Sequence, residues 1–270
     1  MKFLEGLDKD LKRTVLNQLR DIWTHTSTAL EGNTLTLGET SFVLNEGLTI
    51  GGKSLREHHE VVGHAKAIDI IFELLANGRT ISQDDLFTLH KAVQTQVVID
   101  IYEPVGDWKN EQNGTYGRDS QGKMIFINFS SPDDVPILMA QWLNKLNDYL
   151  AQSLDVESVL QAYTALHIAF VWIHPFADGN GRMARLLANL ALLKSGLPPI
   201  VIAKEQRQKY LALLNRFNEQ MGEANRHKSI DLPIDVIEDF MNFAKECWQE
   251  SLQIIEQAKQ IQAARNNIKN

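Results

Sequence analysis

The pair His174-Pro175 separates two long apolar runs and constrains this chain more than any other position. Upstream, "DVESVLQAYTALHIAFVWI" (155–173) carries apolar residues at helical spacing. Downstream, Leu186, Leu187, Leu190 and Leu193 recur at steps of one, three and three until "KSGLPP" closes the run. Proline pushes the residue before it out of helical geometry, so His174 is predicted at or just past a helix C-terminus. The next helix is predicted to start around Gly179 to Gly181. Twelve residues, "HPFADGNGRMAR" (174–185), therefore join two helices and carry a histidine, an aspartate, an asparagine and two arginines.

The rest of the chain reads in the same way. Leu11, Val15, Leu19, Ile22, Trp23, Thr26 and Leu30 mark an amphipathic helix ending near Gly32, followed by a turn-rich segment. Residues 53–76 form a second long helix, and "SQDDLFTLHKAVQTQV" (82–97) a capped third. Residues 104–132 break the pattern: an Asn-Gly pair and the bulky run "KMIFINF" predict one β-hairpin. A proline-opened helix follows it, and two more fill the C-terminal part. No linker, repeat or low-complexity segment intervenes. The predicted fold is all-α: a single helical domain with one small β-hairpin.

With 34 acidic against 27 basic residues, the net charge of −7 argues against a general grip on nucleic acid or on a membrane surface. Any phosphate site must be local. One cysteine, Cys247, rules out an internal disulfide and fits a reducing compartment. The N-terminal residues lack an apolar signal core, and no run of 18 apolar residues occurs, so a soluble, cytoplasmic protein is expected.

A helix start presents unpaired N–H groups and partial positive charge, and glycines let an anion approach that backbone closely. Arg182 and Arg185, three apart and read as lying in the first turn, sit where the helix dipole disfavours cations, which calls for a negative partner. Asp178 supplies a hard oxygen ligand suited to Mg²⁺. His174 then faces a phosphate site across a few loop residues and is placed to act as a general base in phosphoryl or nucleotidyl transfer.

These residues resemble the signature of the Fic-domain family, HxFx(D/E)GNGRxxR, at every defined position: His174, Phe176, Asp178, Gly179, Asn180, Gly181, Arg182 and Arg185. The resemblance implies the Fic fold and transfer of AMP from ATP to a protein hydroxyl (Ser, Thr or Tyr), with pyrophosphate released. It implies His174 as the base and Asp178 as the Mg²⁺ ligand. Gly179, Asn180 and Gly181 become an anion hole with Asn180 on the phosphate, Arg182 holds the outer phosphates and Arg185 the γ-phosphate, while Phe176 is a packing anchor. The predicted hairpin matches the family's flap, which clamps the nucleotide and docks the target as an added strand, so Met124, Ile125, Phe126 and Ile127 become the contact strip. Arg207 and Tyr210, followed by Asn218, resemble a downstream segment lining the adenine side, and a helix docking Tyr210 and Leu214 into the core is the equal alternative. Lys109 stands in "GDWK" where many relatives carry arginine, and whether it replaces that role is left open.

"STALEGN" (27–33) resembles the family's inhibitory motif, [S/T]xxxE[G/N]. Ser27 and Glu31 are four apart on one helix face, and Glu31 stands near a helix C-terminus, where the dipole disfavours a carboxylate. A carboxylate and a guanidinium at the wrong ends of their helices relieve each other if Glu31 pairs with Arg185, which would obstruct the γ-phosphate. The resemblance divides the chain into an N-terminal inhibitory region (1–50), a catalytic domain (51–220) and a C-terminal helical extension (221–270). ATP and an unidentified target protein are the implied partners, with self-modification open and a helix-borne inhibitor open to regulation by homo-oligomer formation. Two alternatives stand: removal of AMP, with Glu31 orienting a water, and a non-catalytic ATP sensor. "EHHEVVGH" (57–64) looks superficially like a zinc motif, but His59 and His64 are five apart, not the four that align two ligands on a helix.

Overall fold

The computed structural model describes residues 1–94, 104–118 and 121–269. In chain order the helices are α1 (Lys9–Leu30), α2 (Leu37–Glu46), α3 (Leu55–Asn77) and α4 (Gln83–Val93). The strands β1 (Gly114–Arg118) and β2 (Met124–Asn128) come next, then α5 (Val135–Ala151), α6 (Val156–Ile173), α7 (Asn180–Leu187), α8 (Asn189–Lys194), α9 (Arg207–Met221) and α10 (Ile234–Lys269). The described chain is thus helical with one antiparallel hairpin, in the register Gly114↔Asn128 to Arg118↔Met124.

The centre is α6. Asp155 caps it by accepting from the Ser158 N–H at 2.8 Å. Its residues Ala162, Tyr163, Leu166, Ala169, Phe170 and Ile173 lie among neighbours from α5, α7, α8 and α10. The helix is apolar and long enough to cross a membrane by composition alone, yet 78% of it is buried by protein, as expected of a core helix. Trp142 of α5 donates its indole N–H to the Leu166 carbonyl at 2.9 Å, which satisfies the one polar atom of a fully buried ring. Truncating Trp142 or Phe170 to alanine would cost about 3–5 kcal/mol on this packing. A continuous core runs from Phe3 to Ala258, and α1 lies across it against α3, α7 and α10.

Several boundaries differ from the sequence expectation. The segment expected to be turn-rich contains α2, opened by a reciprocal capping box between Thr36 and Glu39. Its signal is the T-x-x-E spacing; its weak amphipathicity hid it. The third helix ends at Val93, and its expected extension over 95–97 lies outside the described residues. The Asn-Gly pair, Asn113-Gly114, begins β1 instead of turning the hairpin, and the Asn113 amide serves the site described next. The expected single helix after the glycines is divided into α7 and α8 at Ala188, where Asn189 turns its amide to Arg185 and Ile200.

Candidate active site

Pro175 ends α6 as expected, and His174 becomes its C-cap at φ 55, ψ 60, the one non-glycine residue with positive φ among those described. Such backbone is disfavoured for a residue with a Cβ and is held here by its surroundings. Its Nδ1 lies 3.1 Å from the Val171 carbonyl. A carbonyl only accepts, so Nδ1 carries the proton and Nε2 keeps its lone pair. The ring stacks on Phe129 with centroids 3.7 Å apart and 2° between planes. Burial pulls its pKa down to about 4; the Val171 bond opposes this, the Lys109 charge adds to it, and Glu31 and Asp178 offset part of it. The imidazole is therefore a neutral base at pH 7.

The loop from His174 to α7 is braced from within and from α4. Phe176 is fully buried, with its ring stacked on His90 at 3.8 Å and tilted against Trp108 at 5.1 Å. His90 accepts from the Gly106 N–H at 2.9 Å on Nδ1, so its Nε2–H donates to the Asp178 carbonyl at 3.0 Å. Asn180 donates to the Phe176 carbonyl at 2.8 Å and accepts from the Phe176 N–H at 2.9 Å. Its buried amide thus closes the loop with one donated and one accepted bond, a contact the resemblance did not imply.

Asp178 accepts on Oδ2 from Gln94 at 2.8 Å and from Arg182 at 3.3 Å. Burial opposes its ionisation, but the Gln94 bond and the Arg182 charge hold the carboxyl below its ordinary value. The side chain remains 54% exposed, so the carboxylate is open to a cation from solvent. Among the described residues no group of three His, Cys, Asp or Glu side chains is arranged around a metal. One ionised carboxylate beside a phosphate-binding backbone fits Mg²⁺, which takes one or two protein carboxylates and completes its shell with water and substrate phosphates.

Gly179 is the N-cap of α7 at φ 77, and the helix begins at Asn180. Arg182 is in the first turn, as expected, and is 5% exposed. Its charge there is met by Asp178, by the Gln94 amide oxygen at 3.2 Å and by the Val93 carbonyl at 3.3 Å, at the C-terminal end of α4. Arg185, expected in the same turn, falls in the last turn because α7 is only eight residues long. The wrong-end dipole reading therefore holds for Arg182 and not for Arg185.

Arg185 is 3% exposed and reaches across to the end of α1. Its Nη2 meets Glu31 Oε1 at 2.6 Å and the Ser27 carbonyl at 2.9 Å, and its Nε donates to Ser27 Oγ at 3.0 Å. Burial opposes both charges, but each partner more than compensates: the Glu31 carboxyl is held below its ordinary value and the Arg185 guanidinium above its own. A Cβ placed on Gly181 would come within 2.5 Å of Glu31 Oε1, so the missing side chain is what lets this carboxylate rest over the start of α7. An anionic group already occupies the position that the glycines open.

The remaining expected residues divide. Met124 and Phe126 face outward, 60% and 54% exposed, with Tyr116 set edge-on to Phe126 at 5.2 Å. Ile125 and Ile127 are half-buried. Tyr210, expected on the adenine side, is 4% exposed; its hydroxyl meets His167 at 3.0 Å beside Arg185, and its ring packs on Phe240 and Phe243. Asn218 is buried as well. Arg207 donates to the Leu30 carbonyl at 2.8 Å, capping the helix that carries Glu31. In the region that resembled a zinc motif, His58 spends both ring nitrogens on Ile50 and Ser54. His64 is buried against Trp23. Sequence reasoning missed Gln94, His90 and Asn113 as parts of the site. The spacing of four between His90 and Gln94 on one helix face was a usable signal; Asn113 had none.

A model of the Fic/DOC family matches residues 80–192. The chain is 33% identical over 231 residues to "Protein adenylyltransferase Fic" of Drosophila virilis, covering 84% of this chain and 41% of that protein. It is 34% identical over 208 residues to "Protein adenylyltransferase fic-1" of Caenorhabditis briggsae, covering 76% and 38% respectively. The chain thus spans about two fifths of the curated relatives it matches. In structure it is similar to a Fic domain containing signaling protein from Bacteroides thetaiotaomicron VPI-5482, with a TM-score of 0.82 and 28% identity over 95% of this chain and 92% of that one.

Proposed function

The chain belongs to the Fic/DOC family through residues 80–192, and from that premise we propose that it is a protein adenylyltransferase restrained by its own Glu31. The observation that carries this reading is the pairing of a base with an anion site. His174 keeps a free Nε2 lone pair in the loop that leads into a helix start open enough for the Glu31 carboxylate to rest on it.

In the transfer, His174 Nε2 takes the proton of an incoming side-chain hydroxyl as its oxygen bonds to the α-phosphorus of ATP. The bond from that phosphorus to the bridging oxygen breaks, and pyrophosphate leaves with the electron pair. The N–H groups at the start of α7 and the Arg182 guanidinium stabilise the charge that builds on phosphate oxygens. Asp178 would hold Mg²⁺, which neutralises phosphate charge when bound. Ionised Glu31, paired with Arg185, obstructs the outer phosphate and keeps the α-phosphorus from in-line attack. Met124 and Phe126, exposed beside Tyr116, offer the hairpin's outer face to the protein whose hydroxyl is modified.

The test couples two readings on one sample, covalent AMP on protein by mass spectrometry and pyrophosphate release. With Mg²⁺, ATP and a pyrophosphatase-inhibited cell lysate, the Glu31→Gly protein should yield both in equal excess over the Glu31→Gly/His174→Ala protein. Excess pyrophosphate without excess protein-bound AMP would refute the transfer. A second reading, removal of AMP, draws on the same ionised carboxylate, 43% exposed and able to orient a water. It requires that unmutated protein release AMP from a modified target and that Glu31→Gly lose this.

A further inference from the structure

Outside the signature, Lys109 is a buried charged side chain beside the site to which no role has yet been given. Lys109 is 3% exposed. Its backbone N–H donates to the Pro175 carbonyl at 2.9 Å, directly after the base, and its Nζ donates to Asn113 Oδ1 at 2.6 Å. Asn113 continues the link: its Nδ2 donates to the Phe176 carbonyl at 3.0 Å, and its carbonyl accepts from the Phe129 N–H at 3.1 Å. Phe129 is the ring stacked on His174. Two short chains of contacts therefore run from Lys109 to the base, one along the His174–Phe176 loop and one through the root of the hairpin.

A buried ammonium with a neutral amide as its hydrogen-bond acceptor is costly, and nothing about packing alone requires a cation there. We propose that Lys109 is a positioning residue for His174: its ammonium fastens the root of the hairpin to the loop that carries the base, and sets a positive charge beside the imidazole. This assignment rests on His174 being the base of the proposed transfer. The charge disfavours imidazolium, so Nε2 stays free of a proton as the surroundings acidify.

The groups facing each member are these. His174 feels Lys109 from the segment before the hairpin, Glu31 from the end of α1 and Asp178 from its own loop. Lys109 feels Glu223, just past α9. Burial lowers the Lys109 ammonium to about 7, with Glu223 holding it up. Below that pH the ammonium is charged, so its repulsion is present throughout the range in which His174 would take a proton.

The test reads the base directly, without turnover. In the whole 270-residue chain at pH 5, with folding checked by circular dichroism, ring nitrogen shifts should show His174 neutral in the unmutated protein and in Lys109→Arg. In Lys109→Met they should show it substantially protonated, a rise of about one unit in its titration. Lys109→Gln, which keeps a group for Asn113 but no charge, replaces Lys109→Met if the latter does not fold, with the same expectation. In the Glu31→Gly background the acid limb of AMP transfer should move upward by the same amount in the uncharged variant and stay in place in Lys109→Arg. An unchanged His174 titration in a folded, uncharged variant overturns the assignment. Absence of AMP transfer in the Glu31→Gly protein itself would strike the proposed activity instead and leave the nitrogen-shift comparison readable.

Discussion

Replacing Glu31 by glycine has two consequences that come from one interaction. The change deletes one end of a 2.6 Å ion pair whose other end, Arg185, has a side chain 3% exposed. Removing one partner of a fully buried pair costs about 3–5 kcal/mol. Two features lower that figure: the Glu31 side chain is 43% exposed, so water screens it, and Arg185 keeps the Ser27 hydroxyl and carbonyl. Exposed pairs contribute about 1 kcal/mol or less, which puts this one near about 2 kcal/mol. Against it, deleting a carboxylate from the C-terminal end of α1 returns about 0.5 kcal/mol. The melting temperature should therefore fall by only about 3–5 °C. In the proposed transfer the same pair must open each time a γ-phosphate takes Arg185, and about 2 kcal/mol corresponds to about a 30-fold change in the accessible fraction. AMP labelling of protein should rise by that factor, measured beside a thermal melt of the same sample. A lowered melting temperature with an unchanged labelling rate would mean that the pair is structural only, and the restraint would have to be abandoned.

Other outcomes follow from neighbouring contacts. Arg207→Ala, which uncaps the Leu30 carbonyl at 2.8 Å, should loosen the end of α1 and raise labelling about fivefold, for about 1 kcal/mol lost; combined with Glu31→Gly it should add nothing, and full additivity would count against the link. Asn180→Ala leaves the Phe176 N–H without the acceptor it has at 2.9 Å, which should cost about 2 kcal/mol in urea melts and about tenfold in labelling; a stable variant would show that the loop needs no such brace. Burial holds His90, His167 and His174 down to about 4, 3 and 4 in the fold, against about 6.5 when unfolded. The unfolded chain thus binds more protons below about pH 6.5, so the stability these groups lend is complete above that pH and is lost as pH falls toward 4. The slope should approach about 4 kcal/mol per pH unit for the three together. Asp85 and Glu57, at about 2, add loss of the same sign only below the ordinary carboxylate range. Urea midpoints that stay flat between pH 7 and 5 would show that these imidazoles are hydrated.

How much of this could be read beforehand differs from residue to residue. The break at His174-Pro175 and the start of α7 were legible because proline and glycine act through local backbone sterics, which sequence carries directly. Glu31 was legible because a carboxylate near a helix end is locally unfavourable and asks for a partner. The first turn of α7, counted from Asn180, ends before Arg185, its sixth residue, so that expectation failed on the local count and not on tertiary packing. Of the two readings open for Tyr210, its burial against Phe240 and Phe243 matches the core one, which sequence could not choose because those aromatic side chains of α10 lie far along the chain. Asn113 gave no functional signal, since a lone amide becomes part of a site only through contacts that tertiary packing creates, while Gln94 offered only its spacing from His90 and Lys109 only its place in "GDWK".

The most direct measurement compares ATP radiolabelled at the α-phosphate with ATP radiolabelled at the γ-phosphate. Each is given with Mg²⁺ and a cell lysate to the Glu31→Gly protein and to the Glu31→Gly/His174→Ala double variant, and protein-bound label is read on a gel. The account predicts α label present in the single variant and absent in the double, with γ label, which the kinases of the lysate supply, equal in both. More γ label in the single variant, or equal α label in both variants, would contradict it: the first because the wrong bond is broken, the second because His174 would not be the base.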